Sequence, residues 1–256
     1  MKYIKYFENA AAIGGGVEVD LPNVSYLESK NTLFVPGNSG TATVKVNSTT
    51  GEIEAQTAPT YEYVDLGLSV LWAKCNVGAE TETDYGLYFA WGETQGYEDT
   101  LVGTRWFMWE RGNYKWGSWE VQTKYNSTDG KTTLDLEDDA ANSNMGGNWR
   151  MPTKAEYEEL TANTTSQWVT NYNGSGVNGR TFMGNGQTLF IPAAGRWVDT
   201  SIGNRTSSGC VWSSSLKTDN TPWAWCMYFD SSNKNMSTNG NGRCDGMPVR
   251  GVLPKN

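Results

Sequence analysis

Residues 209–251 read GCVWSSSLKTDNTPWAWCMYFDSSNKNMSTNGNGRCDGMPVRG, and two kinds of residue are interleaved there. Trp212, the Ser213-Ser214-Ser215 run, Trp223, Ala224, Trp225, Met227, Phe229, Met236, Pro248, Val249 and Arg250 have the character of framework. Cys210, Val211, Cys226, Tyr228, Asp230, Ser237, Thr238, Asn239, Gly240, Asn241, Cys244 and Asp245 are chemically arbitrary beside them. Over residues 224–230 the two sets alternate with the period of a strand, whose successive side chains leave opposite faces. The alternation predicts that Trp225, Met227 and Phe229 enter a core while Cys226, Tyr228 and Asp230 face outward. A rigid scaffold with a variable outer surface is suited to binding more than to reaction.

The rest of the chain fits a loop-rich β protein. Its 256 residues include 29 Gly and much Asn, Ser and Thr, with 12 Trp and 13 Tyr supplying hydrophobic mass in short runs. Gly/Asn/Ser punctuation between such runs marks turns between short strands. The formal net charge is −8, with no Lys/Arg cluster. That argues against sequence-independent nucleic-acid binding, which needs a positive footprint. No apolar run is long enough to span a bilayer, and MKYIKYFENAAAIGGG lacks the long apolar stretch of a secretory signal.

Two regions are expected. Residues 1–60 contain no Trp and no Cys, and short strands are predicted at 32–35, 41–46 and 52–56; they read as a β appendage or linker, or as an attachment segment. Residues 61–256 form the main domain. It opens with a strand, a Gly-bearing turn and a second strand over 63–73, and an apolar segment follows at 85–91. Residues 92–130 read as a long loop, in which Trp106, Trp109, Trp116 and Trp119 pack onto the core or stack on ligand rings. A short helix is expected from Asp135 onward, with acids favoured in its first turn. Thr153 and Glu156 have capping-box spacing, with Ala155, Tyr157 and Leu160 as the apolar stripe of a second helix. Strands are predicted at 181–183, 188–191, 211–214, 223–229 and 248–252, with Trp212, Trp225 and Phe229 in one core.

NWRMPTKAEYEEL closely resembles a motif of the formylglycine-generating-enzyme branch of the C-type lectin fold. EYVDLGLSVLWAKCNVGA, YGLYFAWGET, EDDAANSNMGGNWRMPT, LFIPAAGR and VWSSS…AWCMYF…PVRGV resemble lectin-like domains of gut bacteria and their phages. The resemblance covers about residues 61–253. It implies an α+β, C-type-lectin-like fold: a twisted, mainly antiparallel sheet with short helices and long loops. The alternating tail also resembles the variable region of proteins diversified by a retroelement. There, template adenines at AAY codons are replaced at random, which reaches Cys, Val, Tyr, Asp, Ser, Thr and Gly but not Trp or Met. The arbitrary set holds only reachable residues, while Trp223, Trp225 and Met236 are unreachable. A fixed, Asn/Ser/Gly-rich lectin loop is the plainer alternative.

Catalysis has little support. There is no histidine, which removes Ser-His-Asp and Cys-His machinery and any His-based zinc site. Formylglycine-generating enzymes use a closely spaced C-terminal cysteine pair that binds copper; Cys210, Cys226 and Cys244 lie sixteen and eighteen positions apart, which departs from that pattern. Cys75 reads as a buried free thiol, and a bridge such as Cys226–Cys244 stays open, since connectivity is not readable from sequence. Asp135, Glu137, Asp138 and Asp139 suggest either acid/base or calcium chemistry, or an acidic helix start beside Lys131 and Arg150. The calcium motif of sugar-binding lectins is absent.

The expectation is therefore a non-enzymatic display domain with no cofactor, no metal and no catalytic residue. All twelve arbitrary positions, 210, 211, 226, 228, 230, 237–241, 244 and 245, would form one exposed patch around Tyr228. The partner would be a protein or glycan on a target-cell surface, and the setting a virion or cell surface. A fixed-specificity bacterial adhesin of the same fold is the alternative, with a formylglycine-generating-type oxidase behind it.

Overall fold

In a computed structural model the chain divides into two compact units, Met1–Thr60 and Tyr61–Asn256. The structure describes residues 61–98, 114–118, 121–236 and 240–255, together with the strand backbones of the first unit. In that unit β1 (Lys5–Tyr6) pairs with β2 (Val17–Glu18), β4 (Thr32–Phe34) lies between β3 (Ser25–Leu27) and β5 (Ala42–Thr43), and β6 (Lys45–Val46) pairs with β7 (Ile53–Glu54). All these pairings are antiparallel.

The second unit is α+β, with antiparallel sheets and few helices. It opens with β8 (Tyr63–Val64), which turns back onto β9 (Val70–Asn76). The final strand, β21 (Arg250–Pro254), pairs on the other side of β9 and ties the end of the unit to its start. β10 (Tyr88–Phe89) pairs with β20 (Met247–Pro248). A 3-10 turn at Leu136–Asp138 leads into α1 (Ala140–Met145), where Asp139 caps by accepting from Asn142 N. α2 (Lys154–Asn163) starts at the expected capping box: Thr153 accepts from Glu156 N, and Glu156 accepts from Thr153 N. Tyr157 and Leu160 of α2 are buried, but Ala155 is exposed and leaves the stripe.

A meander follows. β11 (Thr165–Val169), β12 (Gly179–Gly184) and β13 (Gln187–Pro192) form one sheet. The β12–β13 turn places Asn185 and Gly186 at φ 49° and 71°, the double positive φ that two-residue hairpins favour. β14 (Arg196–Val198) and β15 (Ser201–Gly203) make a small hairpin. The central pair is β16 (Ser208–Leu216) with β17 (Trp223–Asp230), and β17 also pairs with β18 (Lys234–Met236) and β19 (Asn241–Gly242).

β16 and β17 are covered on both faces. On one side Val211, Met227 and Phe229 pack with Trp72, Tyr157, Leu160, Phe182 and Ile191. On the other, Cys210, Trp212, Ala224 and Cys226 pack with Phe89, Trp91, Tyr125, Trp149 and Val249. Gly209 stands opposite Phe229, and a Cβ there would come within 2.1 Å of the Phe229 ring. Only glycine lets that ring lie flat on the strand.

This double coverage corrects the facing inferred from the alternation. Met227 and Phe229 are core residues, as the period of two predicts. Trp225 is not: it is half-buried, with Lys154 Nζ and Lys217 Nζ each 5.0 Å from its ring. Trp212 and Phe229 lie in different cores. Cys226 points inward, at 0% exposure.

Candidate functional site

The arbitrary tail residues do not form one exposed patch. Cys210, Val211 and Cys226 are 5%, 1% and 0% exposed, and Gly240, Asn241 and Asp245 are also buried. Tyr228, Asp230 and Cys244 are half-buried. Ser237, Thr238 and Asn239 lie outside the described residues. The physical reason is the second layer: the face expected to be wet is packed against the Trp91–Trp149 core.

Most of these residues nonetheless converge. Cys210 stands opposite Tyr228 across the β16–β17 ladder, and Trp212 opposite Cys226. Opposed residues of an antiparallel pair share a face, so Cys210, Cys226 and Tyr228 lie together. Val211 lies on the reverse face, opposite Met227. Cys210 and Cys226 are diagonal neighbours across that ladder. Asn241 Nδ2 donates to Cys226 Sγ at 2.8 Å, and Arg196 Nη1 donates to Asn241 Oδ1. Arg196 and the Asp245 carboxylate both act electrostatically on Cys210.

At the more open end of this face, Tyr228 Oη donates to Asp230 Oδ2 at 2.9 Å. Asp230 Oδ1 accepts from Ser232 N at 2.7 Å and Asn233 N at 2.6 Å, so the carboxylate closes the β17–β18 turn. Burial works to raise the Asp230 carboxyl, but these N–H donors prevail and hold it below the usual carboxylate range. Burial, then the Asp230 hydrogen bond, push the Tyr228 phenol up. Both groups keep their ordinary charge at neutral pH: Tyr228 a neutral donor, Asp230 an anion.

The two thiols divide unequally. Interaction with the Cys226 thiol lowers Cys210, against the burial that would raise it. Cys226 is pushed well up by the Cys210 thiol, then by burial. None of the four cysteines forms a disulfide, so Cys226 is not bridged to Cys244. Cys75 is half-buried, less enclosed than the sequence suggests.

Arg243, which the sequence reading passed over, organises the neighbouring loop. It is 1% exposed, and among the described residues no ion pair to it is formed. Its Nε donates to Tyr114 Oη at 2.9 Å, Nη1 to the Tyr125 and Thr221 carbonyls at 3.1 Å each, and Nη2 to the Lys124 carbonyl at 2.9 Å. The Trp91 ring lies 4.9 Å from its central carbon. A small cleft lined by Tyr114, Gly117, Gln122, Pro222, Arg243 and Cys244 opens beside it. No local signal marks such a residue, because its partners are carbonyls distant in the chain.

The acidic group is gathered around a lysine. The carboxylates of Asp135, Glu137 and Asp138 lie within 4.8 Å of one another. Lys124 Nζ sits among them, at 2.8, 3.0 and 2.6 Å, where a cation would sit. Lys131 joins Asp135, as expected, but Arg150 pairs with Glu156 and not with the acids. Of the loop tryptophans, Trp116 packs on the core and donates to the Gly92 carbonyl at 2.7 Å; Trp106, Trp109 and Trp119 lie outside the described residues. Among the described residues no helix is long and apolar enough to cross a membrane. Comparison of the chain with protein families, curated proteins and solved structures finds no match.

Proposed function

We propose that the second unit is a C-type-lectin-like ligand-binding domain that recognises a protein or glycan through the Tyr228 face. One observation carries the reading. Cys210, Cys226, Tyr228 and Asp230 share one face of the β16–β17 ladder, Asn241 bonds to Cys226 there, and Val211 lies on the reverse face. The working surface is smaller than the full set. Tyr228 and Asp230 form its accessible part, with residues 237–239 following β18 in the chain, and Cys210, Cys226 and Asn241 support it from below. Tyr228 is the anchor, since a tyrosine offers area and a polar tip at low entropy cost.

The same set supports diversification by a retroelement in a phage- or prophage-encoded receptor-binding protein. A fixed-specificity bacterial surface adhesin is the alternative. Two tests separate them. A search of the neighbouring DNA for a reverse transcriptase, and for a near-copy of the tail with adenines at these codons, decides on diversification. A screen of glycans and cell-surface proteins, followed by Tyr228→Ala, decides on the face. A ten-fold or greater loss of binding supports it, and a bound ligand indifferent to Tyr228→Ala and Asp230→Ala overturns it.

The placing of Cys210 and Cys226 on one face favours a second reading, an oxidase of the formylglycine-generating type. Burial of both sulfurs weighs against it, because a substrate thiol must reach the reacting sulfur. Oxygen consumption with a cysteine peptide and added copper, abolished by Cys210→Ala, would establish it in place of display.

A further inference from the structure

We propose that the open face of the β8–β9–β21 sheet is a second binding site, which takes one neutral pyranose unit of a glycan against Tyr63. Opposed residues of an antiparallel pair share a face, and the register sorts this sheet into two. Val64, Trp72 and Val252 lie on its inner face, buried in the core that holds Leu160 and Phe182. Tyr63, Leu71 and Leu253 lie on the other. Leu71 and Leu253 are direct partners across β9 and β21 and are only half-buried. Tyr63 is 55% exposed. A cleft of about 460 Å³ opens here, with Asp65, Asn148 and Lys255 on its rim. That is within the size range of small-ligand sites. The cleft shares no residue with the Tyr228 face and does not depend on that reading.

A sugar ring has an apolar C–H face and a rim of hydroxyls, and the cleft is divided the same way. The two leucines give it an apolar floor, and Tyr63 adds a ring with a polar tip. The rim has hydrogen-bonding capacity to spare. Asp65 Oδ1 accepts from Lys255 Nζ at 2.7 Å and from Gly67 N at 2.9 Å. Among the described residues, Asp65 Oδ2, the exposed Asn148 amide and the Tyr63 hydroxyl bond to no protein group, and Lys255 keeps two N–H donors. Gln187 Oε1 accepts from Asp65 N at 3.1 Å, so the strand position that carries the carboxylate is held before anything binds, which lowers the ordering cost. Asp65 and Lys255 cancel in charge while offering an acceptor and a donor side by side. Adjacent sugar hydroxyls, each both donor and acceptor, match that pair. An acidic sugar would meet the free Asp65 oxygen and a chain of net charge −8, so a neutral ring is the occupant that fits. The cleft covers one ring face only, and a single unit should bind with a Kd on the order of millimolar.

The test is saturation-transfer NMR on the full chain. The probes are neutral trisaccharides of β-linked glucose, α-linked mannose and β-linked N-acetylglucosamine, and an acidic one of galacturonic acid, each at about 10 mM. The expected result is transfer to the ring C–H protons of at least one neutral sugar. Tyr63→Ala should weaken that binding by about ten-fold or more, with an unchanged melting midpoint, since the side chain is exposed. Asn148→Ala, at an exposed turn position outside the sheet, should weaken it as well and carries the test if Tyr63→Ala disturbs folding. Tyr228→Ala should bind as the parent does. No transfer to any neutral sugar, tighter binding of the acidic one, or transfer indifferent to both Tyr63→Ala and Asn148→Ala would each overturn the proposal. Loss in Tyr228→Ala with Tyr63→Ala unaffected would also overturn it, and would place the sugar on the Tyr228 face.

Discussion

Cys210 and Val211 are consecutive in the chain and pack into different hydrophobic cores. The strand that carries them is an internal wall, and the residues expected to be displayed divide according to which side of the wall they meet.

That division makes an opposed pair of outcomes. Val211→Asn places an amide at 1% exposure among Trp72, Leu160 and Phe229. Lost apolar burial and an unsatisfied polar group together should cost about 3 kcal/mol or more. Tyr228→Asn removes a half-buried ring at the open end of the face and should cost about 1 kcal/mol. Urea midpoints of the two variants check this. Equal, small shifts would show that Val211 is not in a core, and the exposed patch would return.

The α2 helix supplies a simpler measurement. Leu160 is fully buried, and α2 is held at its start by the Thr153–Glu156 box. Leu160→Ala should destabilise by about 2–5 kcal/mol as a core truncation. Thermal or chemical denaturation reads it directly, and an unmoved midpoint would mean that the helix does not pack on the sheet.

These cases show what the residues disclose on their own. The capping box is legible because both partners sit within one turn. The β17 strand is legible because its period is two. Its facing is not, since a strand covered on both sides has no wet face to orient the pattern. Size misleads as well: Trp225 is the larger side chain, yet its ring is served by two lysines, while the small Cys226 fills the core. Cys, Val and Asn suit either a surface or a tight interior, so the arbitrary look of the tail conceals its burial. The Arg243 cage and the Lys124 centre depend on the loop folding back, which no local pattern announces.

Stability should fall between mildly acidic and neutral pH. Burial lifts the Asp139 carboxyl to about 6, against the N–H bonds from Asn142, Met151 and Ala141. A group whose folded pKa is raised binds its proton more tightly in the native state. Its favourable contribution is full below the unfolded value of about 3.9 and is lost as pH rises through 6. Asp135 runs the other way: hydrogen bonds from Lys124 and Lys131 lower it to about 2, so its contribution is present above about 4 and fades toward 2. The two together put the optimum near pH 4, with stability declining from there to about 6. Asp139→Asn should compare better with the parent at pH 7.5 than at pH 4.5, by on the order of 1–3 kcal/mol. Denaturation curves at the two values check it, and a pH-independent difference would mean that Asp139 keeps its charge throughout.

Arg243 should tolerate replacement poorly, lysine included. Its guanidinium satisfies the Tyr125, Thr221 and Lys124 carbonyls and the Tyr114 hydroxyl at once, with Trp91 against its face. Among the described residues no ion pair offsets the charge there; the carbonyl dipoles and the rings face it instead. Lysine keeps the charge but not the planar fork. Arg243→Lys would bury an ammonium that reaches some of these acceptors and strands the rest, at a cost of about 3–5 kcal/mol by analogy with a broken buried pair. Arg243→Met removes the charge and leaves only unsatisfied carbonyls, so it should cost less than the lysine variant despite being the less conservative change. The same cage ties Tyr114, Lys124 and Tyr125 to the β19–β20 connection beside Cys244. Limited proteolysis should therefore cut within residues 114–125 faster in the lysine variant while the central sheet still resists. If Arg243→Lys melts with the parent and cleaves no faster, the guanidinium is not what anchors that loop.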